Sequence, residues 1–94
     1  MKFINIGYGN LLAIHRIVSI VSPDAAPIKR LIGDAKADGR VIDSSSGKAT
    51  KSVIITDSEH IILSALTPET LLERIAEETE KENNVQDDAE GEDQ

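Results

Sequence analysis

"RVIDSSSGKATKSVIITDSEHIILSAL", residues 40–66, decides the fold. Runs rich in Val and Ile are separated by "DSSSGKATKS" (43–52) and by "DSEH" (57–60), and β-branched runs bounded by Ser, Gly and Asp clusters read as strands joined by turns. The spacing predicts strand, polar turn, strand, short turn and strand, an antiparallel meander. On that reading residues 43–52 form a flexible hairpin tip that carries Lys48 and Lys51 with no acid after Asp43. A bare positive tip in a chain of formal charge −7 asks for an anionic partner.

Upstream, the period changes. In "SPDAAPIKRLIGDAKADG" (22–39) Ile28, Leu31, Ile32 and Ala35 fall at i, i+3, i+4 and i+7, which lines one helical face. Pro27 suits the first helical turn, and Gly39 the left-handed position after the last one. Residues 11–22, rich in Leu, Ile and Val around Arg16, read as one long bent strand or two short ones. "KFINI" with "GYGN" behind it reads as a strand and a turn.

Downstream, Thr67 and Pro68 open a second helix with Leu71, Leu72 and Ile75 as its apolar stripe, expected to run to about Ala76. Beyond it the composition shifts. Residues 76–94 hold nine acids against Lys81, a net of −8, and the other 75 residues hold nine bases against eight acids, a net of +1. The expected organisation is one domain over 1–76 and an acidic, disordered tail over 77–94.

A domain this small buries only about 60 to 65% of the surface its unfolded chain exposes. With no cysteine and no zinc-type spacing, the remaining support for a thin core is association with further copies. No signal peptide opens the chain and no apolar run is long enough for a bilayer, so a cytoplasmic protein is expected, with no membrane partner.

Catalytic signatures are missing. "SSSGK" lacks a phosphate-loop pattern, because Ile42 stands where that motif needs Gly and Ala49 where it needs Ser or Thr. "GYGN" lacks the third glycine of a dinucleotide fingerprint. His15 and His60 stand alone in sequence and read as structural or solvent-facing. The expectation is no enzyme, no catalytic residue, no cofactor, no metal and no small-molecule substrate.

The bases carry more. Lys29 and Arg30 sit in the first turn of the first helix, where the macrodipole disfavours cations and free N–H groups favour anions; Arg30 also has Asp34 in pairing reach. Arg16, between Ile14 and Val18 in an extended segment, needs a partner or an edge. Repetition of Lys48 and Lys51 around a closed oligomer would give a polyanion many weak contacts and a strong, salt-dependent affinity. Phe3 and Tyr8 are the only aromatics, which favours duplex DNA over single-stranded RNA.

"KFINIGYGN", "RIVSIVSPDAAPIKRLI", "VIDSSSGKAT" and "DSEHIILSALTPETLLERI" resemble the short bacterial proteins of the RemA family, over about residues 1–75. The resemblance implies a DNA-binding transcriptional regulator that activates biofilm matrix genes and forms a ring-like homo-oligomer around which DNA bends. It implies DNA contacts at Arg16 and in the basic hairpin, here Gly47, Lys48, Ala49, Thr50 and Lys51. Ala49 replaces a second adjacent arginine, so phosphate attraction is retained without a planar fork. The combined expectation is an α+β domain with a small antiparallel sheet, one crossover helix and a C-terminal helix, forming a ring. Its DNA-binding residues would be Arg16, Lys48 and Lys51, with Lys29 and Arg30 secondary. A protein-interaction scaffold, with the bases in subunit ion pairs, and an RNA-binding regulator are the alternatives.

Overall fold

Two short strands, β1 (Phe3–Asn5) and β2 (Leu11–Ala13), pair antiparallel around the "GYGN" turn. That turn holds three successive positive φ values, at Gly7, Tyr8 and Gly9, and the Asn5 side chain accepts the Gly7 N–H at 2.7 Å. A computed structural model describes the backbone of residues 1–91 and the side chains of residues 1–81. Leu11 to Val21 is two strands: a 3-10 turn, Ile14–Arg16, separates β2 from β3 (Ile17–Val21).

Helix α1 (Ala26–Ala37) matches its expected stripe, as Ala35 is fully buried and Ile28, Leu31 and Ile32 pack with Val53, Ile61 and Leu63. Gly39, at φ +73, closes it, and the Arg40 N–H reaches back to the Ala35 carbonyl at 2.8 Å. The helix crosses over to β4 (Val41–Asp43), and β5 (Ser52–Thr56) and β6 (Ile61–Ser64) follow.

The four strands lie in the order β3-β5-β6-β4, so the fold is α+β with one correction to its meander. β5 pairs antiparallel with β3 and with β6, while β4 pairs parallel to β6 and never touches β5. Residues 44–51 are therefore no hairpin tip; they arch over the end of β6 to connect two strands that it separates. The reason is burial. "SVIIT" and "IILS" are apolar on both faces and are covered on both, α1 on one side and β1, β2 and the next helix on the other. Such strands belong in the centre. β4 is three residues long with Ile42 49% exposed, and it takes the edge.

Helix α2 (Pro68–Gly91) starts as expected, the Thr67 hydroxyl accepting the Thr70 N–H at 3.2 Å. Leu71, fully buried, and Ile75 join Ile4, Ile6, Ile54 and Ile62 in the second core layer. The helical backbone continues to Gly91 and does not stop near Ala76. Residues 77–90 contain no Pro or Gly to break it, and Glu, Lys, Gln and Ala favour it. The expected acidic tail thus carries helix over most of its length; its last three residues, 92–94, lie outside the described residues.

Candidate functional site

The sheet has two unlike ends. At the arch end lie Val21, Asp43, Ser52 and Ser64, with the start of α1 following β3; at the other, here the turn end, lie Ile17, Thr56 and Ile61 with the β5–β6 turn at 57–60. β5, five residues long, sets their separation at roughly 17 Å.

The arch is a built object. Its two feet are both tied to the end of β6: Ser44 donates its N–H at 2.9 Å and its hydroxyl at 2.6 Å to the Leu63 carbonyl, and Lys51 donates its N–H to the Ser64 carbonyl at 2.8 Å. Asp43 holds the next residue, accepting the Ser45 N–H at 2.9 Å and its hydroxyl at 2.6 Å. Those two bonds, aided weakly by Lys36 and opposed by slight desolvation, lower the Asp43 pKa from its ordinary 3.8. Ser46 and Gly47 both have positive φ, 55° and 79°, and the Lys48 N–H closes the turn on the Ser45 carbonyl at 3.0 Å. That pattern belongs to type I′ turns, in which Gly is favoured.

Ser44 and Ser45 are buried, and residues 46–49 and Lys51 are exposed. A Ser-rich tip expected to be mobile is therefore anchored at its feet and turned tightly at its crest. Neither Lys48 nor Lys51 has an ion-pair partner among the described residues, and the same holds for exposed Lys29 and Arg30 at the start of α1. The Arg30–Asp34 pair anticipated along the helix is not formed. α1 has no acid in its first turn, and its N-cap, Ala25, supplies no side-chain acceptor. By topology the start of α1 is at the arch end, so four of the five expected residues share one end of the sheet.

Arg16 does not join them. It ends the 3-10 turn at the opposite end, where Nε lies 3.2 Å from Asp57 Oδ1 and the backbone carbonyl accepts the Asp57 N–H at 2.9 Å. The pair is intramolecular and both side chains are about half exposed, so the arginine expected to need a partner or an edge has a partner and a surface position, on a 3-10 turn and not within a strand. Sequence reasoning missed Arg40. It stands at the start of β4 on this same end, donating to the Glu59 carbonyl at 2.6 Å and to Asp38 at 3.2 Å. The signal for it was position: a base between a helix-ending Gly39 and a strand.

His60 donates to or accepts from the Ser58 hydroxyl at 2.8 Å and is held by Thr56, a structural use of both. Among the described residues no cluster of acids, histidines or cysteines could hold a metal ion, and no helix is long and apolar enough to cross a membrane. Two open grooves border α2 and share Arg74 and Glu77; one is completed by Glu73 and Glu80, the other by Phe3, Ile4 and Leu11.

The family described as "RemA-like: Extracellular matrix regulatory protein A-like" matches residues 3–75. A relative from Geobacillus thermodenitrificans (strain NG80-2), named "Putative regulatory protein", is 57% identical over 75 residues, covering 80% of this chain and 86% of that protein. One from Clostridium botulinum (strain Hall) is 52% identical over 83 residues, 88% of this chain and 91% of the relative. A third, from Carboxydothermus hydrogenoformans, is 51% identical over 84 residues, 89% and 97%.

Proposed function

The chain belongs to the RemA-like family of regulatory proteins, and from that membership we propose that it is a transcriptional regulator that binds duplex DNA and activates extracellular matrix genes. The single observation that carries this reading is the anchored arch: Lys48 and Lys51 are exposed, unanswered by any described acid, and held on a backbone whose feet are tied to a central strand. Rigid presentation matters because a phosphate contact formed by a pre-ordered loop loses little conformational entropy on binding. Lys29 and Arg30 at the uncapped start of α1 extend the cationic end. Arg16 supplies a second contact at the turn end.

Lysine on a turn holds phosphate without reading bases, and no helix here is rich in the Asn, Gln and Arg that read a major groove. Sequence preference then arises from the bendability of DNA at phased sites. Few charges per subunit are enough when symmetry repeats them. Exposed Leu11, Val18 and Leu72 on a thin core support self-association, and a closed ring is the assembly that aligns the arches along one duplex. The site of action is the nucleoid.

The test is a titration of duplex DNA against salt. Log affinity should fall linearly with log salt, by about 0.9 for each phosphate neutralised. The K48A/K51A variant should bind more weakly with a shallower slope while its assembly mass is unchanged. If that variant dissociates into monomers and the unaltered protein ignores DNA, the lysines belong to a subunit contact and the reading fails.

A further inference from the structure

We propose that Asp57 is the positioning residue of Arg16, holding its guanidinium so that the terminal edge faces a two-oxygen or oxygen–nitrogen acceptor on duplex DNA; this rests on the DNA-binding reading. Two contacts join the same two residues. The Asp57 N–H donates to the Arg16 carbonyl at 2.9 Å, and Arg16 Nε lies 3.2 Å from Asp57 Oδ1 in an ion pair. The first tie lies beside the Ile17–Thr56 strand pair, so the direction of the side-chain contact is set by the sheet itself.

The turn that carries Asp57 is fixed as well. Thr56 and Ser58 hydroxyls lie 3.0 Å apart, Ser58 meets His60 Nδ1 at 2.8 Å, and the His60 N–H returns to the Thr56 hydroxyl at 3.1 Å. The Glu59 N–H closes on the Thr56 carbonyl at 3.1 Å, with Glu59 at φ +66. None of these bonds uses the Asp57 carboxylate. Its one described polar contact is Arg16.

At 52% and 48% side-chain exposure the ion pair adds little to folding stability. Orientation is what it supplies. Nε is the guanidinium nitrogen that faces the carboxylate, while Nη1 and Nη2 have no partner among the described residues, and these form the planar fork that meets phosphate or a guanine edge bidentately. Holding an arginine by its inner nitrogen presents that fork before DNA arrives and lowers the rotamer entropy lost on contact.

The charge of Asp57 makes the idea testable by sign. A carboxylate beside a DNA-binding arginine repels phosphate, so on charge alone both D57A and D57N should tighten binding. Positioning separates them: the amide of D57N keeps a polar oxygen beside Nε, whereas D57A has none. The expected order in duplex titrations at fixed salt is D57N at least as tight as the unaltered protein, and D57A about tenfold weaker, with unchanged melting temperatures. The Arg16 Nε–H signal in 15N NMR of the DNA-free protein should be sharp in the unaltered protein and D57N and lost to exchange in D57A. An Nε–H signal indifferent to D57A, or D57A binding as tightly as D57N, overturns the proposal. Absence of DNA binding in the unaltered protein with a D57A-sensitive Nε–H signal instead removes the DNA-binding reading and leaves Asp57 as a holder of Arg16 with no DNA to present it to.

Discussion

Arg16 and Lys51 stand at opposite ends of one strand: the Arg16 carbonyl accepts the N–H of Asp57, one residue past the end of β5, and Lys51 immediately precedes Ser52, its first residue. They share no partner, and the strand between them has Val53 and Ile54 fully buried. One protomer therefore offers two separate cationic points, about half a DNA helical turn apart.

Separation at this distance predicts independence. R16A and K51A should each weaken DNA binding, and the double variant should lose the sum of the two free energies to within about 0.5 kcal/mol. The check is a double-variant cycle in duplex titrations. A coupling above 1 kcal/mol would mean the two side chains meet in one patch, across a subunit boundary if not within the chain.

The arch depends on backbone conformation as much as on charge. A Cβ at Gly47 meets nothing within 4 Å, so G47A acts only through its φ of +79. It should cost about 1 kcal/mol of arch order and weaken DNA binding with no change in net charge. Ser64 bears a different load. Its hydroxyl, fully buried, donates to the Ile6 carbonyl at 2.7 Å and accepts the Leu66 N–H at 3.1 Å, linking β6 to the first strand and to the approach to α2. S64A should lower global stability by about 2 kcal/mol, read as a lower urea midpoint.

What the sequence shows of this fold follows from how local each signal is. The α1 stripe at Ile28, Leu31, Ile32 and Ala35, with Pro27 and Gly39 at its ends, uses contacts within one turn of the chain, and so does the Thr67 cap. Strand partners are not local. The polar 43–52 segment looks like a hairpin because adjacent strands usually pair, and only the full apolarity of "SVIIT" and "IILS" against the short "VID" hints that β4 belongs at an edge. Arg16 was visible as an isolated cation, but its partner lies in a turn forty-one residues on, and nothing in spacing joins Arg16 to Asp57. The composition shift after Ala76 was visible; the helical backbone that carries it was not, since an apolar stripe marks where a helix is packed and says little about where it ends.

Acid should loosen the arch before it unfolds the domain. Asp43 has a depressed pKa because Ser45 donates two hydrogen bonds to its charged form. A carboxylate whose folded pKa is lowered contributes order that is present above its unfolded value, near 3.8, and is lost as pH falls through the lower folded value. Amide exchange at Ser45 should therefore accelerate, beyond the intrinsic rate, only below about pH 4. In D43N it should be fast throughout and show no such step.

Helix α2 begins four residues after Ser64, at the arch end, and runs toward the turn end, where Thr79 borders a shallow cleft with Lys2 and His15. Its acidic continuation thus leaves the body far from Lys48 and Lys51 of the same protomer, and any influence on them acts through the long-range field. A chain ending at Lys81 removes six acids and no base, moving the formal charge from −7 to −1. Its core keeps Leu71 and Ile75, so the melting temperature should shift by less than about 4–8 °C, as for a loss of less than about 1 kcal/mol in a domain of this size. DNA affinity should rise several-fold at low salt, and that gain should vanish near 0.15 M, where charges more than about 8 Å apart are screened. A gain that persists at several times that salt would show direct contact between the acids and the arch, which requires the tail of another copy.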